Sequence, residues 1–98
     1  MIQNGVSGHF SAAHRAPGQD HFHGHTWTVR AWFPDNGEDA LDLRAALQRV
    51  LASLDHTELS DGLAWGGPLA QFIGSMLPGC AEVEISREAE GIFARWRA

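Results

Sequence analysis

The order of residue patterns predicts an α+β domain, a four-stranded antiparallel sheet with two helices on one face in the order β-β-α-α-β-β. Three observations carry this. In residues 23–33, His23, His25, Trp27, Val29, Ala31 and Phe33 share one face of an extended segment, and Thr26, Thr28, Arg30 and Trp32 share the other. From Asp39 the period changes: Leu43, Leu47, Val50, Leu51 and Leu54 fall at i, i+4, i+7, i+8 and i+11, the apolar stripe of an amphipathic helix. Near the end Val83 and Ile85 alternate with Glu84 and Ser86, a return to strand.

The elements follow in order. Residues 2–14 are β-compatible and partly alternating, a first strand weakened at Gly5 and Gly8. Residues 16–20 are a turn by composition, and Pro34-Asp35-Asn36-Gly37 closes the second strand. After the first helix, residues 55–67 form a polar, glycine-bearing connection. A second helix follows Pro68, with Leu69, Phe72, Ile73, Met76 and Leu77 on its apolar side, and stops at Leu77-Pro78-Gly79. Glu90-Gly91 reads as part of a hairpin turn, and Ile92, Phe93 and Trp96 fill the last strand. No internal repeat is present, and residues 1–98 read as a single domain.

Composition narrows the function classes. No apolar run reaches the ~18 residues that a membrane span needs. Met1-Ile2-Gln3-Asn4 has neither a basic n-region nor an apolar h-region, so no secretory signal is expected. A formal net charge of −5 argues against a nucleic-acid footprint. Cys80 is the single cysteine, which excludes an intrachain disulfide and suits a reducing, cytoplasmic setting.

The chemistry concentrates in His14, His23 and His25. Imidazole is the commonest ligand of a divalent transition metal near neutral pH. A His-x-His pair on a strand projects two imidazoles from one face, and a third on the neighbouring antiparallel strand completes a facial set. Three histidines with an open fourth position would let Zn²⁺ polarise a substrate oxygen or a water. The plainer readings are strand histidines without metal, His56 as a partner of a helix C-terminus, and Glu88 as one more solvated carboxylate beside Glu84 and Glu90. Trp27, Trp32, Trp65 and Trp96 read as core and interface residues.

Several separated motifs resemble the 6-pyruvoyltetrahydropterin synthase and 6-carboxytetrahydropterin synthase family. Phe10-Ser11-Ala12-Ala13-His14-Arg15 is similar to its first-strand motif ending in a zinc histidine, and His23-Gly24-His25-Thr26-Trp27 to its His-Gly-His motif. Asp42-Leu43 stands where the family usually has Asp-Phe. Leu54-Asp55-His56-Thr57-Glu58-Leu59 resembles its Leu-Asp-His-x-x-Leu motif, and Glu88 its late glutamate. The resemblance implies the T-fold and a homo-oligomer, by family expectation a hexamer of two stacked trimers with active sites at subunit interfaces. It implies Zn²⁺ on His14, His23 and His25, an acid/base pair in Asp55 and His56, and a pterin ring held by Glu88. The implied activity is that of a carbon–oxygen lyase on a small-molecule reduced pterin such as dihydroneopterin triphosphate.

The chain departs from the family pattern in places that bear on turnover. The usual catalytic cysteine, four residues before the first histidine of His-Gly-His, is Gln19, which cannot act as a base. Asp20 is the nearest carboxylate and the candidate replacement, with His21 second; the glutamate of a variant branch is replaced by Phe22. The usual Pro-Thr-x-Glu is Pro68-Leu69-Ala70-Gln71, which leaves Gln71 as an uncharged substrate-binding candidate. Arg15 and Arg30 are the candidates for a triphosphate. Two rival readings follow: a non-catalytic zinc- and pterin-binding relative, and a small oligomeric barrel with a purely structural metal.

Overall fold

The computed structural model describes residues 1–15, 23–63 and 66–98, and of His23 and Asp61 the backbone alone. Its elements are β1 (Gln3–His14), β2 (His23–Pro34), α1 (Ala40–Leu54), α2 (Gly66–Ser75), β3 (Glu82–Arg87) and β4 (Ile92–Arg97). Short 3₁₀ turns at Asp61–Leu63 and Glu88–Glu90 were not foreseen. The sheet order is β1-β2-β3-β4, antiparallel throughout, with both helices inserted between β2 and β3. This is the β-β-α-α-β-β arrangement expected above.

The first hairpin is long and the second short, which positions the site. β1 and β2 pair over twelve residues each, from Gln3 opposite Pro34 to His14 opposite His23. β3 pairs with β2 only from Thr28 to Trp32. The 23–27 end of β2 and its partners in β1 therefore project past β3.

One sheet face packs on the helices. Val6, Phe10, Ala12, Trp27, Val29, Ala31, Phe33, Val83 and Ile85 are buried there, as strand alternation requires. In α1 the buried set is Leu43, Leu47, Val50, Leu51 and Leu54, the stripe read from spacing. Asp39 starts this helix, its carboxylate accepting from the Leu41 N–H at 2.8 Å and satisfying an otherwise orphaned donor. The opposite face is polar: Arg30 and Arg95 both bond Glu84, at 3.0 and 2.9 Å. Arg95 first, then Arg30, hold the Glu84 carboxyl below its usual range.

One apolar assignment is corrected. α2 begins two residues before Pro68 and buries Leu69, Ala70, Ile73 and Gly74, while Phe72 and Met76 are exposed. The reason is contact with β4: Trp96 lies against α2 at Gly74, so the helix turns its small residues to the sheet. In β4, Ile92 is 49% exposed at the start of this edge strand, and Phe93, opposite Ser86 and on the same face as Arg95, is 61% exposed on the side away from the helices.

A Cβ at Gly74 would collide with the Trp96 ring. Gly74→Ala is therefore expected to destabilise the chain by about 1–2 kcal/mol, although alanine is the better helix former. A urea titration checks this; a higher midpoint would contradict the packing described.

Candidate functional site

His14 ends β1 and His25 lies near the start of β2, both on the helix-facing side by strand parity. His14 is 5% exposed although it is a polar ring, an environment that calls for partners. Its ring centroid lies 4.6 Å from that of His25 and 5.6 Å from that of Trp27, both edge-on. The His23 backbone stands directly opposite His14 in the ladder, and His25 is opposite Ala12. The overhanging hairpin end thus brings His14 and His25 together and sets His23 at the adjoining register position.

A further residue arrives from the β3–β4 turn. Glu90 Oε1 lies 3.5 Å from His25 Nδ1. A carboxylate beside one imidazole nitrogen fixes the ring's orientation, as outer carboxylates do around metal-ligating histidines. Sequence reasoning placed Glu90 only in a turn. The signal is the β2–β3 register: with Thr28 opposite Ser86, residues just past Arg87 reach the level of residue 25. Gly91 turns the chain back with φ 69°, a left-handed conformation that suits glycine.

These residues fit a metal in donor chemistry. Two imidazoles are in ring contact, a third histidine is opposite in register, and a carboxylate stands at the edge. Among the described side chains, no group of three His, Cys, Asp or Glu residues is gathered closely enough to hold an ion.

Asp55 and His56 form a separate unit at the outer edge of β1. Leu54 and Leu59 are buried anchors on either side of them. The intervening backbone is tied to β1 by His56 N–H to Ser11 O at 2.6 Å, Ala13 N–H to Thr57 O at 2.9 Å and Leu59 N–H to Ala13 O at 2.8 Å. Asp55 Oδ1 accepts from the Ser11 N–H at 2.9 Å, and its Oδ2 is 2.8 Å from His56 Nδ1. The pairing orients an imidazole whose side chain is 84% exposed. His56 has φ 58°, costly for a residue with a Cβ and sustained by these bonds. With Ser11, Ala13 and Gly24 it lines a hollow of about 320 Å³. Those three positions have the opposite strand parity to His14 and His25, so within one chain the pair and the histidine cluster are not brought together.

The Asp55 carboxyl lies below its ordinary value of 3.8, mainly through the Ser11 N–H and next through His56. A carboxyl lowered by folding contributes stability that is complete above 3.8 and is lost as pH falls through the folded-state value. The urea midpoints of wild type and Asp55→Asn are expected to converge in that acid range; a constant gap down to about pH 2 would contradict this origin.

The remaining candidates are dispersed. Glu88 is in the exposed turn, 3.6 Å from Arg30 Nη2. Gln71 is exposed on α2. Gln19, Asp20, His21 and Phe22 lie outside the described residues. Cys80 is buried at the entry to β3; burial pushes its thiol pKa up, which disfavours the thiolate that a nucleophile needs.

Trp27 links the histidines to a cavity of about 230 Å³ at the open end of β3 and β4. Sequence reasoning did not single out Arg87, which lines this cavity together with Trp27, Ile85 and Phe93.

Comparison with known proteins agrees with this architecture. The sequence profile of the family described as 6-pyruvoyl tetrahydropterin synthase matches residues 5–89. No curated protein matches the chain. Among solved structures, the 6-pyruvoyl tetrahydropterin synthase of Caenorhabditis elegans superimposes with a TM-score of 0.77 at 16% identity, covering 99% of this chain and 95% of that one. At that identity the superposition establishes the shared T-fold, and the profile match over most of the chain establishes kinship. The chain belongs to the 6-pyruvoyl tetrahydropterin synthase family.

Proposed function

We propose that this chain is a zinc-dependent, tetrahydropterin synthase-like lyase acting on a reduced pterin such as dihydroneopterin triphosphate. The observation that carries the reading is the hairpin end: His14 against His25, with His23 opposite in register, next to a cavity walled by Trp27. His14, His23 and His25 would hold the zinc, whose Lewis acidity makes oxygens and neighbouring C–H groups of a substrate side chain more acidic. Glu90 orients His25. Asp55 holds His56 in position as general acid/base, and Asp20 is the candidate for the base that Gln19 cannot supply. Glu88 and Gln71 are the ring contacts that family kinship suggests, and both face solvent in a single chain.

Because His56 opens beside Ser11, Ala13 and Gly24, strand positions of opposite parity to the histidines, a complete site calls for a second copy of the chain. This agrees with the homo-oligomer, by family expectation a hexamer, proposed for a T-fold protein. No helix among the described residues is long and apolar enough to cross a membrane. A cytoplasmic enzyme is the location proposed.

The test is chromatographic analysis after incubation with dihydroneopterin triphosphate. Loss of triphosphate together with a new pterin product supports the lyase reading. A second reading, a zinc- and pterin-binding relative without turnover, is favoured by Gln19 in the cysteine position. Binding of the pterin without product would select it.

A further inference from the structure

The cavity next to the histidines has an unusual balance of chemistry. Trp27, Ile85, Ile92, Phe93 and Ala94 give it largely apolar walls, and among the described residues Arg87 is the one charged residue that lines it. No carboxylate among the described residues is part of the lining. Arg87 is there because it continues the parity of Val83 and Ile85, which are 0% and 1% exposed on the helix-facing side. Glu88 has left the strand for the 3₁₀ turn and stands outside the cavity beside Arg30.

The Arg87 guanidinium is incompletely satisfied. Its Nε is buried and has no hydrogen-bond partner among the described residues. The acids on neighbouring strands and turns are engaged elsewhere: Glu84 with Arg30 and Arg95, Glu82 with Arg97, Glu88 with Arg30, and Glu90 with His25. A buried donor of a cationic group without an acceptor is costly, and native structures seldom leave one without a purpose. Guanidinium is also the side chain best matched to a planar oxyanion, which it engages through paired N–H donors.

We infer that Arg87 sets the specificity of this cavity, and that the molecule it takes is a flat, largely apolar ring bearing an oxyanion such as a carboxylate. The apolar walls receive the ring, and the guanidinium receives the anion. A neutral ring offers the guanidinium no charged partner and gains less from it. The inference goes beyond the function proposed above: it assigns this cavity a ligand of its own and depends neither on zinc nor on a pterin.

The experiment uses 2-naphthoate and 2-naphthamide, probes of one shape that differ in charge. Calorimetry on the wild-type protein is expected to show naphthoate binding at least tenfold more tightly, the scale of one charge-assisted hydrogen bond. The Arg87 Nε–H resonance, assigned by its absence in Arg87→Gln, is expected to shift on binding. Arg87→Gln is expected to equalise the two probes, and Arg87→Lys to retain part of the preference. Equal affinities in wild type, no binding of either probe, or a preference that survives in Arg87→Gln would overturn the inference; the wild-type comparison stands even if a variant fails to fold. Zinc content and pterin turnover on the same samples separate the two claims, since their absence with the naphthoate preference intact counts against the lyase reading alone.

Discussion

Chelation is expected to lower the melting temperature of the wild-type protein and to leave that of His14→Ala unchanged. His14 is buried against the rings of His25 and Trp27 at the end of β1. A metal held there by the folded state alone stabilises that state through mass action, by about 4 kcal/mol when free metal is a thousandfold above its dissociation constant. In a domain of this size each kcal/mol moves the melting temperature by about 4–8 °C. The alanine variant also loses packing, so its own melting temperature is lower whatever the metal does. The difference made by chelator isolates the metal from the packing. An equal chelator effect on wild type and variant would place the metal elsewhere.

The second large effect concerns turnover. Asp55→Asn and His56→Gln are each expected to reduce the rate by about 10²–10⁴-fold, the usual contribution of a positioned acid/base group. The double variant is expected to lose little more than either single one, because Asp55 acts through His56 and the two share a hydrogen bond of 2.8 Å. Metal content should not change, since the pair lies at the outer edge of β1 and the histidines face the helices. His56→Gly separates strain from chemistry: it relieves a φ of 58° at a cost normally about 1–2 kcal/mol for a residue with a side chain. Its folding stability is expected to hold or rise while turnover falls. Steady-state kinetics and urea titration on the same preparations read both, and full activity in His56→Gln would remove this pair from the mechanism.

Much of the fold was legible because two strong periodicities occur in sequence. Leu43 to Leu54 could form only one stripe, and the alternation from His23 to Phe33 admitted only one buried face. The misreadings arose where packing partners were distant in sequence. Phe72 and Met76 have the hydrophobicity of core residues, yet the close approach of Trp96 to Gly74 turns α2 by a fraction of a turn and leaves them outside.

The candidate site divides in the same way. His14, His23 and His25 were readable from residue type and strand parity, and Asp55-His56 from a local motif whose anchors, Leu54 and Leu59, are both buried. Glu90 and Arg87 were not readable. Their positions depend on the β2–β3 register and on the point where β3 gives way to a 3₁₀ turn, neither of which leaves a local pattern. At that point a shift of one residue exchanges Arg87 for Glu88 at the cavity wall, and with it the sign of the charge there.

The most direct test of the central claim is zinc content per subunit of wild type and of a His23→Ala, His25→Ala double variant, with turnover of dihydroneopterin triphosphate assayed on the same samples. The account predicts about one zinc per chain in wild type with product formed, and loss of both in the variant. Wild-type protein purified without zinc, and inactive when zinc is supplied, would contradict it.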